Sequence, residues 1–261
     1  MRRMEGSPLN PYAPPAVTAE STSGGRAPST ENYRPLFALV TAVTAALAFS
    51  VLVEAAVIVQ SLTTISVMSR VQAGEEVDEE MISGIDDRNV LVGLSQVAAL
   101  LAGAIAFAML TYRASRNALS YGQMLMKFSP GWAVGFYFIP LVSLWKPYYA
   151  MKEIWQASDP TGDVHPGSVE VPALLPVWWW AFVVHNLAGQ ITFRMARAVN
   201  DPGSLISAAH ADIASAIATI IAALLAIAVA RTLAARQDAC QKAAEAFRAT
   251  RRAATPATSA Y

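Results

Sequence analysis

Four long apolar stretches constrain this chain more than any other feature of its sequence. They cover residues 36–62, 90–112, 171–193 and 205–233. The hydrocarbon core of a bilayer is about 30 Å thick, and an α-helix needs about 20 apolar residues to cross it. Because each stretch reaches that length, we predict an all-α integral membrane protein with four transmembrane helices.

The composition agrees with this prediction. Apolar residues make up 54% of the chain and charged residues only 15%, whereas about 25% of residues are charged in a soluble domain. The 19 basic residues balance the 19 acidic residues, so no net charge attracts nucleic acid. The single cysteine, Cys240, excludes a disulfide framework and a Cys-rich metal site.

A fifth apolar run, residues 132–145, is too short to cross the bilayer comfortably and contains a proline. We expect it to belong to a helical hairpin, residues 119–158, that lies in the interface or re-enters the membrane on the cytoplasmic side. Its prolines break the helix, and its tryptophans and lysines suit the headgroup layer. The interfacial motif consists of Pro130, Trp132, Pro140, Trp145, Lys146, Pro147 and Trp155.

The basic residues predict the orientation. With four crossings and both termini in the cytoplasm, 15 Lys and Arg side chains lie inside and four lie outside. If residues 132–145 also crossed, nine would lie inside and ten outside. Cytoplasmic loops carry an excess of Lys and Arg, so the four-crossing topology is favoured. The acidic segment 63–89 is then expected to be a solvated loop outside, or alternatively a vestibule that attracts cations.

The two ends of the chain differ from the membrane domain, residues 35–233. Residues 1–34 contain five prolines and few large apolar side chains, which predicts a disordered cytoplasmic head. No apolar run follows Arg2 and Arg3, so we expect no cleavable signal peptide. Residues 234–261 are expected to form a basic helical tail in the cytoplasm, with Cys240 as a reduced thiol without a role.

The segment between the second and third stretches also carries a family resemblance. The motifs are Ser129-Pro-Gly-Trp-Ala-Val-Gly135, Phe138-Ile-Pro140, Trp145-Lys-Pro-Tyr148, Met151-Lys-Glu-Ile-Trp155 and Trp178-Trp-Trp180. In these motifs the chain resembles the bacterial membrane family catalogued as domain of unknown function 4328, over about residues 34–233. The resemblance implies a multi-pass protein of the bacterial inner membrane. It implies no activity, cofactor or catalytic residue.

Several polar side chains lie within or at the ends of the apolar stretches, and in the predicted topology they collect in the outer leaflet. An ionisable side chain there costs about 2.5–3.5 kcal/mol on insertion scales, so each needs a reason. We consider an outward-facing polar pocket, or alternatively polar contacts that only hold the helices together at about 0.6–2 kcal/mol each. The residues concerned are Glu54, Gln96, His185, Asn186, Gln190, Arg194 and Asp212.

We expect no cofactor and no metal. A haem held by two histidines needs a second histidine at matching depth, but His210 lies about a dozen ångströms from His185 along the axis, and His165 lies in a predicted loop. A haem or pigment with His185 as its one axial ligand stays an open alternative. The sequence contains no HExxH motif, phosphate-binding loop or nucleophile elbow, so we expect no catalytic residues.

Small residues predict close packing of the last helix. Ala214, Ala218, Ala222 and Ala226 repeat once per turn, and such a face lets another backbone approach closely. The face either packs inside the bundle or contacts a protein partner or a second copy of the chain. Residues 178–180, three consecutive tryptophans, are expected to form an interfacial belt rather than a ligand cage.

Two functions remain open at this point. The first is a non-enzymatic scaffold or accessory subunit that acts through protein and lipid contacts. The alternative is a small transporter or channel for a solute, an ion or a proton, built on the polar residues around Glu54. A water-accessible pocket that reaches Glu54 would favour transport, and a partner protein that co-purifies stoichiometrically would favour the accessory role.

Overall fold

A computed structural model describes residues 33–121, 126–161 and 169–254, and every regular element within these ranges is a helix. The helices are α1 (Phe37–Gln72), α2 (Glu79–Ser120), α3 (Pro130–Gly135), α4 (Lys146–Ala157), α5 (Leu174–Ala196) and α6 (Pro202–Ala254). Two short 3₁₀ turns, Phe136–Phe138 and Val142–Leu144, separate α3 from α4. Most of the predicted disordered head, His165 and the last seven residues lie outside the described residues.

Three of these helices, α1, α2 and α6, are long and apolar enough to cross a membrane. This confirms the all-α class and the apolar character that a membrane protein needs. Helix α5 has 23 residues but is not among the three, since His185, Asn186 and Gln190 interrupt its apolar sequence.

Helices α1 and α6 form the most extensive helix pair and run antiparallel along the whole of α1. At one end the Tyr33 hydroxyl donates a hydrogen bond to Asp238, and at the other Gln72 lies beside Gly203. The buried face of α6 repeats every seven residues, at Ala209, Ala216, Ala223, Ala230, Gln237 and Ala244. A seven-residue repeat keeps one face of a helix towards its partner, and small side chains bring the two backbones close.

The other two long helices flank this pair. Helix α2 packs on α1, and α5 packs on α6, which gives the packing order α2–α1–α6–α5. Each neighbour is antiparallel to the next, because the connections at residues 73–78 and 197–201 are short. Helices α2 and α5 are therefore the outer members of the row, and their side chains meet at the Phe107 and Trp178 rings, whose centroids lie 5.5 Å apart.

The segment that contains α3 and α4 turns back on itself in the gap between α2 and α5. The backbone N–H groups of Lys127 and Phe128 donate to Glu153 Oε2 at 3.1 and 3.3 Å, so the two arms of the segment lie side by side. The turn follows Pro140, where Leu141 adopts a left-handed φ of 64°, uncommon for a branched residue. The indole N–H of Trp179 donates to the Leu144 carbonyl at 3.1 Å and ties the turn to α5.

A buried polar network, centred on Gln237, joins α2, α6 and the end of α4. The Gln237 amide donates to the Ala114 carbonyl at 2.9 Å and to Ser158 Oγ at 3.0 Å. Its oxygen accepts from Asn117 Nδ2 at 2.9 Å, and its backbone carbonyl accepts from the Tyr121 hydroxyl at 3.1 Å. Because these groups are buried, each hydrogen bond offsets a desolvation cost that would otherwise oppose the fold.

Arg236 strengthens the same end of the bundle. Its guanidinium donates to Asp159 Oδ1 at 3.0 Å and to the Trp155 carbonyl at 3.1 Å. It also lies over the Trp155 ring, 4.8 Å from the centroid. Trp155 is buried as a result, and the end of the hairpin is fixed against α6.

Two expectations were wrong. The acidic segment 63–89 is mostly helical rather than a solvated loop, since α1 continues to Gln72 and α2 begins at Glu79. The carboxylate of Asp78 caps α2 by accepting from the Glu80 N–H at 3.1 Å, and acidic residues near a helix N-terminus favour the helix dipole. Gly74, with a φ of 80°, allows the turn between the two helices.

The tryptophan cluster is the second correction. Trp178 and Trp179 are 2% and 5% exposed, so they are not part of an interfacial belt, whereas Trp180 is 67% exposed. Consecutive residues on a helix point about 100° apart, so three in a row cannot share one environment. Trp178 and Trp179 pack against α2 and the hairpin instead.

The contact between α1 and α6 predicts unequal effects for substitutions at two alanines of α6. Ala230→Leu places a larger side chain at a fully buried position and is expected to lower the free energy of unfolding by about 1–3 kcal/mol. Ala214→Leu, at an exposed position, is expected to change it by less than about 0.5 kcal/mol. Unfolding by a denaturing detergent measures both, and equal losses would contradict the seven-residue repeat.

The Gln237 network gives a second prediction. Gln237→Leu leaves the buried Asn117 amide and the Ala114 carbonyl without this partner, so we expect a loss of about 1–3 kcal/mol of stability. Gln190→Leu makes the same chemical change at an exposed position and serves as the control. Thermal unfolding in mild detergent compares the two, and an unchanged melting temperature for Gln237→Leu would show that the network does not stabilise the fold.

Candidate functional site

A cavity of about 480 Å³ occupies the part of the gap between α2 and α5 that the hairpin does not fill. We call it the groove. Helices α2 and α5 form its walls, residues of α1 and α6 form its floor, and Val134, Tyr137 and Phe138 of the hairpin close one end. It is partly open, and its volume lies in the range that holds small-molecule ligands, about 300–1,000 Å³.

The side of the groove formed by α1 and α2 carries a carboxyl group. Glu54 of α1 is 8% exposed and lines the groove together with Gln96 of α2. Gln96 Nε2 donates to both carboxyl oxygens of Glu54 at 3.4 Å, the long end of the hydrogen-bonding range. These two side chains meet because α1 and α2 are antiparallel, which brings the two residues to the same depth.

The opposite wall carries a histidine. His185 Nδ1 lies 2.9 Å from Thr219 Oγ1, and the Thr219 hydroxyl donates to the Ser215 carbonyl at 2.9 Å. A Thr219 hydroxyl that donates to the Ser215 carbonyl accepts from Nδ1–H of His185, whereas a hydroxyl that donates to Nδ1 requires the other tautomer. The contact therefore fixes the orientation of the ring, and the tautomer follows from the direction of the hydroxyl proton.

The end of the groove near the hairpin is aromatic. The lining rings there are Phe107, Tyr137, Phe138, Trp178 and Phe182. The centroids of Tyr137 and Phe182 lie 6.0 Å apart in an edge-to-face arrangement, and those of Trp178 and Phe182 lie 6.5 Å apart. Aromatic faces carry partial negative charge, so this end combines an apolar surface with weak attraction for cations.

The structure brings part of the predicted polar cluster together. Glu54, Gln96, His185 and Asn186 line the groove. Asp212 is half-buried on α6 and within electrostatic range of Glu54, but it does not line the groove.

Two other members of that cluster lie elsewhere. Gln190 and Arg194 are exposed and do not line the groove. Gln190 follows Gly189, which does line it, and one residue turns a helix by about 100°. That rotation points Gln190 away from the groove.

Residues that the sequence analysis did not single out complete the lining. Gly189 leaves open space where a side chain would be, since an added Cβ would have no atom within 4 Å. Ser50, Thr192 and Ser215 add hydroxyl groups. Small residues and single hydroxyls are common in membrane helices, so no sequence signal marks them as lining residues.

The alanine repeat of α6 is divided between two environments. Ala222 and Ala226 are buried and line the groove, whereas Ala214 is exposed and Ala218 is half-buried. The four alanines therefore do not form one free face of the bundle. Contact with a partner stays a prediction, and it can involve only the first two.

The interfacial motif is spread over the hairpin. Pro130 begins α3 and Pro147 is the second residue of α4, as suits the first helical turn. Trp132 and Trp145 are about half exposed, at 54% and 46%. The Lys146 ammonium lies 5.1 Å from the Phe128 ring centroid. The remaining members, Pro140 and Trp155, lie at the turn and against Arg236.

The comparison with known families covers most of this architecture. Residues 73–235 match the family model described as "Domain of unknown function (DUF4328)". The match contains α2, the hairpin, α5 and most of α6, and so includes Gln96 and His185, while Glu54 lies N-terminal to it. No curated protein and no solved structure matches the chain. Because the match spans more than half of the sequence, the chain belongs to the DUF4328 family.

Proposed function

We propose that the protein crosses the bacterial inner membrane four times, through α1, α2, α5 and α6, with both termini in the cytoplasm. The packing order and the antiparallel neighbours support an even number of crossings. The outward faces of α2 and α5 suit contact with lipid, since Leu94, Leu101, Val184 and Leu187 are each more than half exposed. The hairpin enters and leaves at the cytoplasmic end, as a re-entrant segment requires.

Cysteine labelling tests this topology. Burial raises the pKa of the native Cys240 thiol to about 12, so little thiolate forms near neutral pH and the background labelling is low. In spheroplasts, an impermeant maleimide is expected to label cysteines placed at Glu76 and Ala198. It should reach those at Glu170 and Lys242 only after permeabilisation. Labelling of Glu170→Cys from outside would contradict the four-crossing topology.

We further infer that the protein is a membrane carrier that binds a small amphipathic solute in the groove. The observation that carries this inference is that Glu54 faces a cavity of about 480 Å³ and not a closely packed helix. Polar contacts that only hold helices together need no such space. An ionisable side chain that lines a cavity at membrane depth is typical of a substrate pathway.

Filling the groove tests the carrier. Gly189→Phe places a ring in the groove, where the backbone offers open space. Gly93→Phe, the control, adds the same ring at a position that also has open space but does not line the groove. Mass spectrometry of the protein purified in mild detergent is expected to find a small molecule with the wild type and Gly93→Phe, but not with Gly189→Phe.

The carrier would be refuted if all three preparations contained the same molecules in the same amounts. Neither this role nor the next calls for catalysis or a cofactor. An absorbing cofactor bound at His185 would overturn both.

A scaffold or accessory subunit is the second candidate. An exposed apolar stripe on α6, formed by Ala214, Ile217, Ile221 and Leu224, favours packing against a partner protein or a second copy. Helix α6 also continues from Leu233 to Ala254, about 30 Å beyond the predicted membrane stretch. A stoichiometric partner that is lost in Ile221→Glu and retained in Gly189→Phe would favour this role over the carrier.

A further inference from the structure

The groove has an unbalanced charge. Glu54 is the one carboxyl group among its described lining residues, and none of these is a lysine or an arginine. Gln96 on α2 contacts Glu54, and Asp212 on α6 lies within electrostatic range of it. The other titratable groups that line the groove are His185 on α5 and Tyr137 on the hairpin. None of these is a permanent cation, and Asp212 adds a second acidic group nearby.

The rest of the lining sets a second requirement. Apart from a few hydroxyl and amide groups the surface is apolar, and its hairpin end is lined by aromatic rings. The groove runs from Trp178 to Thr192, a distance of about 21 Å along α5. A ligand that fits must therefore offer a large apolar body as well as a group that satisfies the carboxyl.

We propose that the groove binds lipophilic organic cations, with the positive charge against the Glu54 carboxylate and the apolar body among the Phe107, Trp178 and Phe182 rings. This proposal rests on the carrier function above and names its substrate class. A bulky apolar or aromatic body suits these rings, because aromatic side chains pack favourably against apolar and aromatic groups.

A proton and the cation compete for the same carboxyl group. An unpaired carboxylate in an apolar cavity is costly, and either a proton or a bound cation removes that cost. When a cation enters a groove with protonated Glu54, the carboxyl proton leaves to water, so one positive charge replaces another. Cation binding should therefore weaken as the pH falls.

A lipid acyl chain is the main competing occupant. Its length could match the groove, but it would pass Glu54 and Gln96 without satisfying either polar group. A buried polar group that gains no partner from the ligand opposes binding. A cation can form an ion pair with the Glu54 carboxylate, so we favour a cation over an acyl chain as the occupant.

Two ions of matched shape and opposite charge test the proposal on the wild-type protein in detergent. Equilibrium dialysis is expected to show one tetraphenylphosphonium bound per chain, with an affinity about thirtyfold above that for tetraphenylborate. In the pH range where Glu54 is protonated, the affinity for tetraphenylphosphonium should fall by about tenfold for each unit by which the pH is lowered. Equal binding of the two ions, or an affinity that does not depend on pH, would overturn the proposal.

Variants assign the effect to Glu54. Glu54→Gln keeps a hydrogen-bonding partner for Gln96 but removes the charge, and it should lower tetraphenylphosphonium affinity about thirtyfold and abolish the pH dependence. Glu76→Gln removes an exposed carboxyl far from the groove and should bind as the wild type does. A pH dependence that persists in Glu54→Gln would place the titrating group elsewhere, for example at His185. That result would overturn the proposed exchange of a proton for the cation at Glu54. If Glu54→Gln fails to fold, the wild-type measurements still decide.

The closing comparison separates this proposal from the carrier function. If tetraphenylphosphonium does not bind, but a small molecule is still lost from Gly189→Phe and kept in Gly93→Phe, the groove binds another class of solute and only the cation proposal fails. If a phospholipid is the molecule lost, the groove is a lipid site. If no ion binds and no molecule is lost, both proposals fail.

Discussion

The close antiparallel contact between α1 and α6 is the constraint on which the rest of the structure depends. Small residues every seven positions on α6, among them Ala216 and Ala223, let α1 and α6 pack closely. Contacts at both ends, at Asp238 and at Gly203, fix their register. Because α2 and α5 pack on different members of this pair, a gap must remain between them. The hairpin and the groove both lie in that gap.

The hairpin and the groove divide the gap between them. Residues 132–145 form only short helical turns, and the segment turns back after Pro140, so the hairpin fills only the part of the gap near Gln237. The buried network around Gln237 and the Arg236–Asp159 pair hold the segment there. The groove is therefore the space that a short segment leaves, and its aromatic end is the surface of the hairpin turn together with α5.

The chemistry of the groove combines residues that are far apart in the sequence. Glu54 and Gln96 lie on two antiparallel helices, and His185 and Thr219 on two others, so one cross-section of the bundle contains all four. The DUF4328 match includes the hairpin and three of these residues, whereas the helix that supplies the carboxyl lies before it. The family match thus accounts for the walls of the groove, while Glu54, which sets its charge, comes from α1.

The sequence by itself determined which segments are helical and apolar, that residues 132–145 are shorter than the other apolar stretches, and that Glu54 and Gln96 lie at matching positions along their helices. These properties follow from apolar length and from the constant rise per residue of a helix. Only the tertiary structure decided rotation about each helix axis, because rotation depends on the neighbouring helix. For that reason Gly189 lines the groove and Gln190 does not, Ala222 and Ala226 of α6 are buried while Ala214 is exposed, and Trp178 is buried while Trp180 is exposed.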